Sequence, residues 1–158
     1  IEFTRSAKMK NMRCYEDIEV GEYLTSSELV VDGEDMIAFA KNYDPQWFHL
    51  EVQDSNSMRF GEVIASGIYV AALWRKLDHE INGDVDYICG VCWEKAEWKL
   101  AVRAGDTLRA TSEVVEKRPS SSDSTRGVIT YICRLEKPCG TTVFEFRSIA
   151  LINRRPDN

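Results

Sequence analysis

Imidazole is scarce in this chain: His49 and His79 are the only two histidines among 158 residues. Any chemistry that needs an imidazole must choose between them. His79 sits beside Asp78 and Glu80 and reads as solvated surface, whereas His49 lies between Phe48 and Leu50, in apolar company. No apolar run approaches the roughly 20 residues that cross a bilayer, and the first ten residues lack the apolar stretch of a secretory signal. The five cysteines are an odd number, which without a signal points to reduced thiols in a cytoplasmic protein. Cys89-Gly90-Val91-Cys92 has no second Cys or His pair at zinc spacing, and no phosphate-binding glycine loop accompanies it. It falls in a stretch that reads as strand, where residues three apart face opposite ways, so small buried hydrophobes are expected there. Positive charge is also short. Twenty Lys and Arg against 26 Asp and Glu give a net charge of -6, which argues against nucleic acid or an anionic membrane as partner.

What the chain does contain is an ordered run of elements. Residues 15–31 alternate around Gly21 and suggest an initial hairpin. Asp32, with a carboxylate three residues on at Asp35, precedes Met36, Ile37, Phe39 and Ala40 at helical spacing. That helix should end near Asn42, because Pro45 biases Asp44 away from helical angles. Residues 44–48 read as a loop and 51–58 as a short polar helix. The run Ile68-Tyr69-Val70-Ala71-Ala72-Leu73-Trp74 is apolar on nearly every face, which marks a buried helix, stopped at Asn82-Gly83. Four strands come next, over 87–100, 106–117, 127–136 and 141–152, rich in Val, Ile, Thr and aromatics and separated by turn residues. A buried helix followed by four antiparallel meander strands implies a sheet wrapped around that helix. Trp93 and Trp98 read as sheet core and dimer contacts.

The densest chemical segment is Tyr43-Asp44-Pro45-Gln46-Trp47-Phe48-His49. It sets a carboxylate five residues before an imidazole, in a loop just past a helix. A second feature is Ala65-Ser66-Gly67, which leads into the buried helix. A helix N-terminus offers unpaired N–H groups and the positive end of the dipole, and glycine lets a substrate oxygen approach them. Such a position suits a carbonyl oxygen that gains charge in the transition state. Taken alone, Asp44 could simply end a helix, His49 could be a satisfied core histidine and Gly67 could serve packing.

The stretch resembles the MaoC-like dehydratases, the family of (R)-specific (type 2) enoyl-CoA hydratases. Their motif is D-x-N-P-x-H, succeeded by an apolar run ending in H-G-M at the start of the central helix. Asp44-Pro45-Gln46-Trp47-Phe48-His49 falls on it with the Asp-to-His spacing intact, and Arg59-Phe60-Gly61 with Ile64-Ala65-Ser66-Gly67 matches the family's run into that helix. The likeness extends to Tyr15-Glu16-Asp17-Ile18-Glu19-Val20-Gly21 and to Val102-Arg103-Ala104-Gly105-Asp106-Thr107-Leu108. Three positions depart from the pattern: Gln46 stands for Asn, Trp47 for Pro, and Ser66 for the His before Gly67.

The resemblance implies an α+β hot-dog fold with one domain over residues 13–154; separately, Ile1-Glu2-Phe3-Thr4 reads as vector-derived, and residues 1–12 are expected to be a disordered or vector-derived lead-in. It implies hydration of a trans-2-enoyl-CoA, or dehydration of an (R)-3-hydroxyacyl-CoA, in fatty acid metabolism in the cytoplasm. Asp44 and His49 would hold the water and exchange its protons, and the Gly67 N–H would bind the thioester oxygen. Gln46, Trp47, Arg59 and Ser66 would contact the substrate, with Trp47 and Tyr69 shortening the pocket. Arg59, Arg75, Lys76 and Arg103 are candidates for the CoA phosphates. No metal or separate cofactor is implied, CoA being part of the substrate, and a homodimer or larger homo-oligomer is expected. Two rivals share the fold or the ligand: a hot-dog acyl-CoA thioesterase, and a non-catalytic acyl-thioester-binding subunit.

Overall fold

The computed structural model describes residues 12–50 and 60–156. A short 3-10 turn, Tyr15–Asp17, precedes strand β1 (Tyr23–Val30) and helix α1 (Gly33–Tyr43). A second 3-10 turn, Trp47–His49, and helix α2 (Gly67–Asn82) come next. Strands β2 (Tyr87–Trp98), β3 (Thr107–Pro119), β4 (Arg126–Glu136) and β5 (Thr142–Asn153) complete the chain. The five strands form one antiparallel sheet in the order β1-β3-β4-β5-β2.

Alternation along the strands builds the core. Leu108 and Ala110 of β3, Ile129, Tyr131, Cys133 and Leu135 of β4, and Phe144 and Phe146 of β5 recur at every second position. They meet the apolar stripe of α2 formed by Val70, Leu73, Trp74 and Leu77. The sheet curled on this one helix is the hot-dog arrangement, an α+β fold as expected. Asp32 starts α1 by accepting hydrogen bonds from the backbone N–H groups of Glu34 and Asp35 at 2.8 and 3.0 Å. Asp44 ends it outside the helical region (φ −153°, ψ 66°), as the following proline favours.

Three expectations are corrected. Residues 15–20 do not pair as the first arm of a hairpin: the Asp17 carboxylate accepts from Cys14 N at 2.9 Å and winds the chain into the 3-10 turn. The four later strands are not a simple meander, because β2 pairs with β5 while β3 has β1 and β4 as neighbours. The connection over residues 99–106 makes that crossing, tied by Ala65 N to Val102 O (2.8 Å) and by Gly105 N to Val31 O (2.9 Å). Cys89 and Cys92 lie on a strand but are exposed, since β2 is an edge bulged between Gly90 and Cys92. Cys133, on the core face of β4, is the buried one. Residues 51–58 and Arg59 lie outside the described residues.

Gly127 shows how tightly the N-terminal turn seats on the sheet. A β-carbon there would collide with the ring of Tyr15. Gly127→Ala is therefore expected to lower the unfolding free energy by roughly 1–3 kcal/mol, read as an earlier urea midpoint; an unchanged midpoint would show that Tyr15 is free to move aside.

Candidate active site

Two stretches of chain are stitched together to make the site. Past the end of α1, Gln46 N donates to Asp44 O at 2.8 Å and His49 N to Gln46 O at 2.9 Å, which coils the loop into a single turn. The segment ahead of α2 docks against it, Ile64 N donating to Phe48 O at 3.2 Å. His49 returns the contact: its Nδ1 lies 2.7 Å from the Ile64 carbonyl oxygen. A carbonyl can only accept, so Nδ1 carries the hydrogen and, in the neutral ring, Nε2 presents its lone pair. The ring is buried, with the Phe48 ring against it at 4.4 Å between centroids.

Nε2 faces the Asp44 carboxylate, 3.5 Å from Oδ2. Two other groups hold that carboxylate. Ser66 Oγ donates to Oδ2 at 2.6 Å, and Gln46 Nε2 donates to Oδ1 at 3.0 Å. The Ser66 hydroxyl also accepts from Ile68 N at 3.3 Å as the N-cap of α2, so one buried oxygen joins the carboxylate to the helix start. The Ser66 hydroxyl, then the Gln46 amide and the facing imidazole, hold the Asp44 carboxyl below the usual carboxylate range against some desolvation. Asp44 is thus ionised at neutral pH. A water or a proton placed between Nε2 and Oδ2 would satisfy both acceptors.

A cavity of about 360 Å³ opens beside the imidazole, walled by His49, Phe60, Gly67, Val70, Trp98 and Lys99 among others. Gly67 is the first residue of α2, so its N–H has no partner within the helix, and none exists among the described residues. Its carbonyl accepts from the Trp98 indole at 2.9 Å. A β-carbon at Gly67 would sit 3.1 Å from that indole, so the glycine also serves the close approach of Trp98.

His49 and Gly67 thus share the cavity wall, and Asp44 faces His49 Nε2 without lining the cavity itself. Gln46 and Ser66 both bond to Asp44, and the Ser66 side chain is fully buried there. Trp47 is half exposed, packs edge-on against Phe48, and takes no part in the cavity wall. Tyr69 does not shorten the cavity: it is buried against Phe39 of α1, 5.3 Å between centroids. Arg103 pairs with Glu62 at 2.6 Å and donates to the carbonyl of Phe60, at the cavity rim. Arg75 pairs with Asp78 farther along α2. Sequence reasoning missed Trp98 and Lys99 as cavity residues, and no local signal marks them; the crossing from β2 to β3 brings them to the mouth of α2. Among the described residues, no group of three His, Cys, Asp or Glu side chains could hold a metal ion.

The depressed Asp44 titration ties stability to pH. A carboxyl whose folded pKa lies below its unfolded value stabilises the fold above the unfolded value, and that contribution is lost as pH falls through the folded one. Ser66→Ala removes the largest cause, so the Asp44 carboxyl should titrate at higher pH by carbon-13 NMR. An unmoved titration would show that the short Ser66 bond does not hold the charge.

Comparison with known proteins shows the family. The family model described as MaoC like domain matches residues 18–134. A curated relative, the uncharacterized protein YdeM of Bacillus subtilis (strain 168), is 28% identical over 141 residues, covering 88% of this chain and 98% of that protein. The crystal structure of a MaoC-like dehydratase from Rhodospirillum rubrum superposes with a TM-score of 0.81 at 28% identity, over 92% of this chain and 99% of that one. That of a monoamine oxidase regulatory protein from Archaeoglobus gives 0.83 at 26% identity, over 93% and 98%. With the match running through α1, the Asp44–His49 loop, α2 and most of the sheet, the chain belongs to the MaoC-like domain family.

Proposed function

We propose that this chain is a hydro-lyase that adds water across the double bond of a trans-2-enoyl-CoA, or removes it from an (R)-3-hydroxyacyl-CoA. The observation that carries the reading is the His49 Nε2 lone pair, held 3.5 Å from the Asp44 carboxylate by the Nδ1 contact to Ile64, in the wall of a cavity that reaches Gly67. The similarity to a MaoC-like dehydratase supports the reaction class.

The groups present supply each step. A water held between Asp44 and His49 attacks the β-carbon of the enoyl group as its proton passes to Nε2. The ionised Asp44 stabilises the imidazolium that results. Electron density moves onto the thioester oxygen, which the Gly67 N–H binds at the positive end of α2. Nε2 then returns the proton to the α-carbon, giving the 3-hydroxyacyl thioester. Lys99, in the cavity wall and paired with Glu145 at 2.9 Å, and Arg103, which donates to the Phe60 carbonyl, are the cations proposed to hold CoA phosphates.

Assembly as a homodimer is part of the proposal. Strand β2 pairs with β5 on one side only, and Ile88, Val91, Trp93 and Trp98 along it are all more than two-fifths exposed. An apolar edge of this length is a template for a second copy. A cytoplasmic setting is proposed with it; among the described residues no helix is long and apolar enough to cross a membrane.

Asp44→Asn and His49→Gln should each fold and each lose about 10²–10⁴ in turnover on an enoyl-CoA that the parent protein hydrates, monitored by loss of enoyl absorbance. Retained activity in both would defeat the assignment. Thiol release from a saturated acyl-CoA would point instead to a thioesterase, and binding without turnover to a non-catalytic subunit. Val91→Glu should shift the sedimentation coefficient from dimer to monomer; a parent protein that sediments as a monomer contradicts the edge pairing.

A further inference from the structure

The turn that carries the Gly67 N–H is gripped by a single length of chain. The end of β2 and the crossing behind it, residues 98–102, form one wall of the site cavity. That wall is pinned to the sheet, because Lys99 N donates to Val143 O of β5 at 2.8 Å. It reaches the lead-in to α2 twice. Ala65 N donates to Val102 O at 2.8 Å, and the Trp98 indole Nε1–H donates to Gly67 O at 2.9 Å. Residues 65–67 are therefore tied at both ends to the same wall, once through backbone and once through a side chain.

The indole is itself well seated. It stacks on the fully buried Phe144, with 4.9 Å between centroids and 26° between planes. A β-carbon at Gly67 would meet Cε2 and Nε1 of the indole at 3.1 Å and Cδ2 at 3.5 Å. The ring thus occupies the side of Gly67 where a side chain would stand. Phenylalanine at this position could keep the stack on Phe144; the bond to Gly67 O needs the indole N–H. That bond falls where a helix is least constrained, since helix ends fray. A donor aimed at a developing oxyanion is effective only if it is fixed before the charge appears.

We propose that Trp98 is the positioning residue of the oxyanion donor: its indole N–H, bound to Gly67 O, holds the first turn of α2 so that the Gly67 N–H is fixed in the cavity wall. The inference rests on the hydratase reading, which gives that N–H its role.

The test uses the full chain with two changes that remove the donor and keep a ring. One is Trp98→Phe. The other places the benzothiophene isostere of tryptophan at position 98, which preserves the size of the indole should the first variant fold poorly. kcat and KM are measured for hydration of a trans-2-enoyl-CoA, and the Gly67 amide signal is followed by nitrogen-15 NMR as the saturated counterpart is added. Loss of one hydrogen bond that acts in the transition state predicts kcat lower by about three- to tenfold with KM little changed. The shift that the ligand induces in the Gly67 signal should be reduced in both variants. Variants with the parent kcat and the parent Gly67 shift would overturn the inference and leave the hydratase reading standing. A raised KM at unchanged kcat would do the same, as the mark of a wall contact alone. A Gly67 shift reduced in both variants, with no hydration by the parent protein, would support the positioning and remove the hydratase reading. No Gly67 shift in the parent protein would overturn the inference, and absence of hydration with it would overturn both.

Discussion

One hydroxyl fixes the geometry on which the site depends. Ser66 Oγ donates to Asp44 and accepts from Ile68 N, so the carboxylate past the end of α1 and the first turn of α2 meet on a single buried oxygen. A charge-assisted O–H···O⁻ bond of this length is among the stronger hydrogen bonds a protein makes. Its consequence is positional. The carboxylate is presented to the imidazole on one side, and the free N–H groups of the helix start lie within the same small volume. Removal of that hydroxyl would leave Asp44 held only by the Gln46 amide and untied from the start of α2.

The rest of the fold keeps that junction in place. The Ile64 backbone bonds the loop twice, through Phe48 O and through His49 Nδ1, so the imidazole is oriented by main chain on rigid segments. The crossing from β2 to β3 then brings Trp98 over Gly67, where the indole bonds the helix's first carbonyl and closes one side of the cavity. Below it, Phe144, Phe146 and Trp93 of the sheet and Trp74 of α2 stand in ring-to-ring contact. Trp93 and Trp98 remain half exposed along the edge strand β2.

Much of this is legible in the residues alone. Asp32 and Pro45 bracket α1 because capping and the steric demand of proline act locally, and the strands announce themselves by composition. The spacing of Asp44 and His49 is equally plain, as is the glycine at the helix start. Strand order is not, because nothing in residues 87–98 says whether β5 or β3 will lie beside them. The exposure of Cys89 and Cys92 is a consequence of that edge position and is hidden with it. Ser66 reads in sequence as a substrate contact; its bond to Asp44 depends on two segments 22 residues apart meeting at a fixed angle. Trp98 escapes notice for the same reason, since its partner is 31 residues away in sequence.

The central claim is an orientation: His49 with its proton on Nδ1, anchored to Ile64, and its Nε2 turned to Asp44. Nitrogen-15 NMR of the imidazole measures this directly, and with only two histidines the signals can be assigned by removing His79. At alkaline pH, where the ring is neutral, the account predicts the Nδ1–H tautomer with Nε2 unprotonated. A neutral His49 with its proton on Nε2 would break the Ile64 anchor, point a donor at the carboxylate, and contradict the account.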